Sequence, residues 1–242
     1  MNYLPENIST FGADLDGLTI LITVLATVWF FAAFLTMSWF LIAYRKKAGQ
    51  KAEYINGDSF SQYKWILIIL IFVVASDLYI DIVTVNVWNK IKIHLPQQEQ
   101  SVRVEINAYQ WAWKFRYPGA DGKLGTDDDL KSFTEMHVPV NKDVLFDLTA
   151  KDVLHSFWVK ELRLKQDALP GRTIQGWFNA TKTGKYEIMC AEICGINHTA
   201  MKGYLVVDSE EDYAKFLGGL KKVASAESQN KNKLAVNTGD KL

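Results

Sequence analysis

Thirteen residues from Met189 to Met201, M-C-A-E-I-C-G-I-N-H-T-A-M, hold both cysteines of the 242-residue chain, Cys190 and Cys194. They also hold His198, one of only four histidines, and end on Met201. Two thiols, an imidazole and a thioether form a soft donor set, suited to copper, zinc or iron–sulfur chemistry rather than magnesium or calcium. Gly195, Asn197 and Gly203 interrupt any regular element, so the stretch reads as a loop. Its flanks, Tyr186–Met189 and Tyr204–Val207, are β-rich, so the loop is expected to join two strands.

Three chemistries compete for this loop. Cys190 and Cys194 could form a disulfide, or remain two buried thiols. A structural zinc site would use Cys and His in a closed tetrahedral set and would have no use for Met201. A weak Met beside Cys and His is the signature of copper electron transfer. A single copper of that type needs one Cys, so two thiolates suggest two metal ions bridged by sulfur. One more imidazole would complete the set, and His155, in D-V-L-H-S-F-W-V, is available.

The run C-A-E-I-C-G-I-N-H-T-A-M, with D-V-L-H-S-F-W upstream and K-Q-D-A-L-P-G-R between, resembles subunit II of haem–copper cytochrome c oxidase. The resemblance covers residues 17–207. It implies a dinuclear copper A centre in which Cys190 and Cys194 bridge two coppers and His155 and His198 each bind one. Met201 and the backbone carbonyl of Glu192 are then the weak outer ligands. The resemblance also gives the Glu192 side chain a magnesium or manganese ion shared with the large subunit, consistent with the preference of hard cations for carboxylate oxygen. Lys165, Asp167 and Arg172, in K-x-D-A-x-P-G-R, are implied to lie against that large subunit. An aromatic Q-W-x-W run is implied to lie beside the copper site and to receive electrons through Trp111, with Trp113 as the alternative. Haem is expected only in the partner subunit. The implied function is to accept single electrons from cytochrome c or a similar donor and pass them to that haem. There oxygen is reduced to water and protons are pumped, with further oxidase subunits present.

The elements that must position these residues follow from hydropathy and charge. The chain has 27 basic and 27 acidic residues, and this balance argues against a nucleic-acid partner. Residues 1–17 are acidic and lack the basic region of a secretory signal; the basic connection between the two spans makes them an expected extracytoplasmic N-terminal segment. Leu18–Tyr44 contains no charged residue, longer than the ~20 residues that span a bilayer. Trp65–Trp88 is a second span with Trp at both ends. The basic connection 45–64, with Arg45, Lys46, Lys47, Lys51 and Lys64, is expected on the cytoplasmic side. Both termini and the copper domain then lie outside, in a bacterial plasma membrane.

The second span carries Asp77 and Asp81 on one helical face, expected to pack against another subunit or reach toward the outer interface. The resemblance often has a proton-admitting Glu three residues before the Trp that opens this helix. Here Gln62 stands there, and Glu53 or Asp58 are the nearby substitutes.

Residues 93–208 are expected to form one all-β domain, with strands at 102–117, 135–138, 144–148, 174–178, 186–189 and 204–207. The resemblance makes it a cupredoxin-like Greek-key barrel behind a two-helix transmembrane hairpin, 18–92. Alternation along 107–117 would place Tyr109, Trp111, Trp113, Phe115 and Tyr117 on one face. Lys114 and Arg116 beside them leave the charge of the electron donor open. The acidic stretch 119–129 lacks the EF-hand pattern and reads as a solvated hairpin turn. His94 and His137 match no ligand position and read as surface or packing residues. Ser209 is the expected N-cap of a helix to about Val223, followed by a polar, mobile tail within 209–242. No C-x-x-C-H pattern occurs, so no covalently attached haem is expected.

Three rivals remain. The quinol-oxidase subunit of the same superfamily keeps the spans and barrel but lacks the copper ligands. A redox-sensing or metal-storing membrane protein would leave the aromatic and K-x-D-A-x-P-G-R runs unused. Nitrous oxide reductase has a similar loop but a large catalytic domain for which this chain is too short.

Overall fold

The computed structural model describes residues 4–51 and 54–222. Glu53 and the residues from 223 onward, including the expected tail, lie outside the described residues. The chain divides into two units, residues 14–90 and a second made of 1–13 with 91–242.

The helical unit is built from α1 (Gly12–Ala43) and α2 (Phe60–Trp88), the latter continued by a π-helical turn at Asn89–Ile93. Both are long and apolar enough to cross a bilayer and bury almost nothing within the chain. Hydroxyls along α1 are satisfied internally: Thr19, Thr23 and Thr27 donate to the carbonyls four residues back at 2.8, 2.7 and 2.7 Å. That is what a hydrocarbon environment demands, since it offers polar groups no partner. Asp77 and Asp81 are both exposed on α2.

The β unit is two five-stranded sheets. The first runs β3 (Leu130–Phe133), β2 (Ala112–Tyr117), β1 (Val102–Tyr109), β5 (Asp143–Ala150) and β8 (Ile174–Asn179). The second runs β4 (Glu135–Pro139), β10 (Lys202–Asp208), β9 (Gly184–Cys190), β6 (His155–Val159) and β7 (Leu164–Ala168). β1 pairs in parallel with β5, and β10 with β4; the other pairings are antiparallel. Strict alternation puts Val104, Ile106, Ala108, Trp113, Phe115, Phe146 and Leu148 inward from the first sheet and Met136, Phe157, Ile188 and Leu205 inward from the second. Trp113 meets Phe157 edge-on at 5.6 Å and Phe146 lies 6.0 Å from Phe157, which ties the sheets together. Each aromatic so buried contributes roughly 1.5–3 kcal/mol.

The structure corrects two readings of the sequence. Residues 102–117 form two strands of a hairpin, with Tyr109 paired to Ala112 and only Gln110 and Trp111 in the turn. Nothing in that dipeptide marks a turn. The Asp152 carboxylate supplies the missing signal by accepting the Gln110 N–H at 2.7 Å. Tyr109 therefore faces outward, while Trp113, Phe115 and Tyr117 are buried. Second, β3, β6 and β7 add strands where no strand was expected, with K-x-D-A on β7. The leading segment, for which no packing was expected, is part of the β unit. Ile8 donates to Glu161 at 3.0 Å, Ser9 bridges Ala180, and Phe11 packs edge-on against Trp177 at 5.5 Å.

The acidic stretch is the loop of the β2–β3 hairpin. Its Asp129 is buried and ion-paired with Arg116. His137 stacks on Phe216 at 3.9 Å and bonds Asp208 at 2.7 Å, a packing role. Ser209 caps the final helix, 210–222, by accepting the Asp212 N–H at 3.1 Å.

Candidate metal centre

Three elements converge at one end of the second sheet. β9 ends on Cys190, a loop follows, a short 3-10 turn covers His198–Ala200, and β10 begins at Lys202. β6 opens on His155 and pairs with β9 through Phe157 and Cys190. Strand pairing thus brings His155 beside a cysteine 35 residues away.

The donor atoms form one cluster. Cys190 and Cys194 are free thiols with Sγ atoms 3.7 Å apart. His155 Nδ1 lies 3.9 Å from Cys190 Sγ, and His198 Nδ1 lies 3.5 Å from Cys194 Sγ. Met201 Sδ is 3.8 Å from Cys194 Sγ, and the Glu192 carbonyl is 3.2 Å from Cys190 Sγ. The donors of His155, Cys190 and Cys194 all lie within 4.8 Å of one another. His155, Cys194 and Met201 are essentially sealed from solvent, and Cys190 nearly so.

The surroundings prepare these donors. His155 Nε2 lies 2.8 Å from Asp152 Oδ1. A carboxylate only accepts, so Nε2 carries the proton and Nδ1 presents its lone pair to the thiols. Burial pushes the Asp152 carboxyl up, but the Gln110 N–H, the His155 ring and the Val153 N–H together hold it below its ordinary value. Without a metal, burial and the adjacent Cys190 thiol push the Cys194 thiol up to about 11. Two buried thiols with no compensating cation resist ionisation, and a metal ion reverses that balance.

The loop is gripped from the first sheet. Gln110 Nε2 and Trp111 Nε1 both donate to the Cys194 carbonyl, at 2.8 and 3.2 Å. Gly195 makes this possible. Its φ is +120°, and a Cβ there would meet Gln110 Nε2 at 3.0 Å and the Trp111 ring at 3.1 Å. Trp111 keeps partial exposure, whereas Trp113 is fully buried with its ring 6.5 Å from His155. The Glu192 side chain points elsewhere, to Lys165 Nζ at 3.0 Å, and the same ammonium reaches Asp167 at 3.1 Å. Arg172 sits in the turn after β7, its N–H donating to Leu169 at 3.3 Å.

The sequence reading gave no role to Asp152 or Gln110. A carboxylate three residues before an expected ligating His was the available signal for the first. Gln110 acts only through the hairpin, which had to be seen.

A chain with this cluster behind two apolar helices can be compared with known proteins. Residues 102–209 match the family model of the cytochrome C oxidase subunit II periplasmic domain. The alternative cytochrome c oxidase subunit 2 of Bradyrhizobium diazoefficiens is 32% identical over 235 residues, covering 86% of this chain and 82% of that protein. The chain belongs to the cytochrome c oxidase subunit II family. Subunit 2 of Cereibacter sphaeroides is 29% identical over 233 residues, covering 84% of this chain and 74% of that one. Among solved structures, the periplasmic domain of subunit II from Bradyrhizobium japonicum is 30% identical, with a TM-score of 0.47, and covers 53% of this chain and 98% of its own.

As a subunit II, the chain is a membrane-anchored component of a haem–copper terminal oxidase, a multi-subunit oxidoreductase, with a cupredoxin-like β domain. The family implies copper, and the donor set fits it: two thiols, two imidazoles, a thioether and a carbonyl in one largely dry cluster. A closed zinc site would leave the thioether without a purpose.

Proposed function

We propose that this chain is the subunit through which electrons enter its oxidase, holding two copper ions and relaying single electrons from cytochrome c or a similar donor toward haem in the large subunit. Copper bound here supplies one-electron redox chemistry between two accessible oxidation states. The observation that carries the reading is the pair of free thiols 3.7 Å apart, each with its own imidazole, His155 beside Cys190 and His198 beside Cys194.

Each residue then has a task. Cys190, Cys194, His155 and His198 would hold the copper, with Met201 and the Glu192 carbonyl as weaker donors that would tune its potential. Asp152 fixes the His155 ring, and the β sandwich keeps all donors in place whatever the charge on the site. Trp111 lies between solvent and the Cys194 carbonyl, which supports it over buried Trp113 as the group electrons reach first. Lys165, Asp167 and Arg172 face the large subunit. The Glu192 carboxylate, held here by Lys165 at 3.0 Å, would be one ligand to a magnesium or manganese ion shared with the large subunit.

The connection 45–64 lies in the cytoplasm and the β domain outside. The basic residues of the connection support the orientation, and the bonding of Ile8 and Ser9 to the β unit supports two crossings, since it puts the leading segment and the β domain on one side of the membrane.

Trp111→Phe in the complete oxidase tests the relay. It should slow donor oxidation at least several-fold while leaving the copper absorption in place. Unchanged donor oxidation in Trp111→Phe, with strong loss in Trp113→Phe, would reverse the assignment.

A further inference from the structure

While Glu105, Asp143 and Asp147 further along the first sheet's outer face are taken up by Arg116, Asn179, Arg103 and Gln175, positive charge gathers at the metal end of that face. An open pocket of about 390 Å³ lies there, lined by Tyr109, Lys114, Arg116, Phe133, Thr149 and Lys151, among others. Pairing across β2 and β3 sets Lys131 opposite Arg116 and Phe133 opposite Lys114. Arg116 is already engaged by Glu105 at 3.2 Å and by Asp129. Among the described residues, Lys114, Lys131 and Lys151 form no ion pair with a carboxylate. Burial, then the charges of Lys131, Arg116 and Lys151, press the Lys114 ammonium below its ordinary value, with Glu105 opposing. Gathering like charges without partners costs stability, so a compensating role outside the chain is the physical expectation.

The place of this patch matters. Tyr109 leads directly into Gln110 and Trp111, which grip the Cys194 carbonyl. Lys151 leads directly into Asp152, which holds His155. The two edges of the positive pocket are thus chain-adjacent to the two supports of the metal ligands. The ligand loop itself offers Ile193 and Ile196, 86% and 90% exposed, and Phe133 is exposed at the patch. Carboxylates close to the ligands do not offset the charge. Asp152 is taken up by His155, Gln110 and Val153, and Glu192 and Asp167 share Lys165. Exposed apolar groups flanked by three lysines that form no ion pair suit a small, transient docking interface, in which charge steers and apolar contact seats.

We infer that this surface docks an electron-carrier protein whose own redox group is ringed by carboxylates. The inference rests on the copper reading above and adds the class of donor. A carrier with a basic face would meet three lysines without partners and be turned away.

The test uses the complete oxidase and two soluble c-type cytochromes of similar potential, one acidic and one basic. Reduction of the copper centre is followed by stopped flow across ionic strength. The acidic cytochrome should react at least tenfold faster than the basic one at about 10 mM salt, where the Debye length is ~30 Å. Its rate should fall as salt rises. Lys114→Glu with Lys151→Glu should erase that advantage at low salt and converge with the wild type at high salt. Reduction by a small neutral hydroquinone should be unaffected. A faster basic donor, or a charge reversal that moves neither rate, would overturn the docking claim and leave the copper reading intact. An oxidase whose subunit II holds no copper would overturn both, and metal content measured on the same sample distinguishes that case.

Discussion

Replacing Asp152 with Ala should damage the metal centre without removing any metal ligand. The carboxylate, with a side chain 31% exposed, accepts three bonds: His155 Nε2 at 2.8 Å, the Gln110 N–H at 2.7 Å and the Val153 N–H at 2.7 Å. Bonds to a charged acceptor contribute roughly 1.5–3 kcal/mol each when buried, and less where water can replace the acceptor. The two backbone N–H groups belong to exposed residues, so their loss should cost about 1 kcal/mol together. His155 is completely buried, so its Nε2–H becomes an orphan at about 1–3 kcal/mol. Metal-free stability should therefore fall by about 2–4 kcal/mol, as the lower and upper ends of these ranges add.

Copper affinity should fall about 10–100-fold, because the ring loses both its orientation and the proton assignment that frees Nδ1. Urea unfolding of the metal-free protein and competition against a chelator of known affinity give the two numbers. Asp152→Asn keeps an acceptor oxygen and should lie between Ala and wild type in both. Unchanged copper affinity in Asp152→Ala would refute the claim that this carboxylate sets the ring.

Three further outcomes follow from the same geometry. Gly195→Ala, which combines a φ of +120° with a Cβ 3.1 Å from the Trp111 ring, should shift Trp111 fluorescence and slow donor oxidation; wild-type behaviour in both would show that the loop has room. Copper affinity should weaken as pH falls. The metal-free Cys194 thiol sits at about 11, and its proton must leave on binding. That thiol alone gives about tenfold per pH unit below 11, and a flat titration between pH 6 and 8 would contradict it. Ser59→Cys in intact cells should resist a membrane-impermeant thiol reagent beyond the labelling of Cys190 and Cys194 in the unmodified chain; strong external labelling would invert the topology.

Much of the site was readable because its residues are chemically rare. Two cysteines and a methionine in one short loop limit the chemistry before any fold is known, and the apolar spans have almost no competing interpretation. What escaped the sequence was whatever depends on distant partners. The turn at Gln110 and Trp111 has no turn-forming residue and is held by Asp152, more than forty positions away. β6 and β7 were missed because H-S-F-W-V and L-K-Q-D-A carry little alternation. They become strands by pairing with each other, and β6 also with β9. The packing of the leading segment escaped the sequence because Ile8 and Phe11 are isolated apolar residues, and their burial in the β unit depends on contacts with residues near 161 and 180. The same gap hid the positive patch, since Lys114, Lys131 and Lys151 come from separate strands and strand ends.

The most direct measurement of the central claim is metal content with paramagnetic resonance on the full-length chain, purified in detergent and supplied with copper. The expected result is two copper ions per chain and one unpaired electron coupled to both nuclei. Cys194→Ser should reduce this to a single-copper signal, and Met201→Leu should preserve the pairing. A folded chain that binds one copper through a single thiolate, takes only zinc, or joins Cys190 to Cys194 in a disulfide under the same conditions would contradict the account.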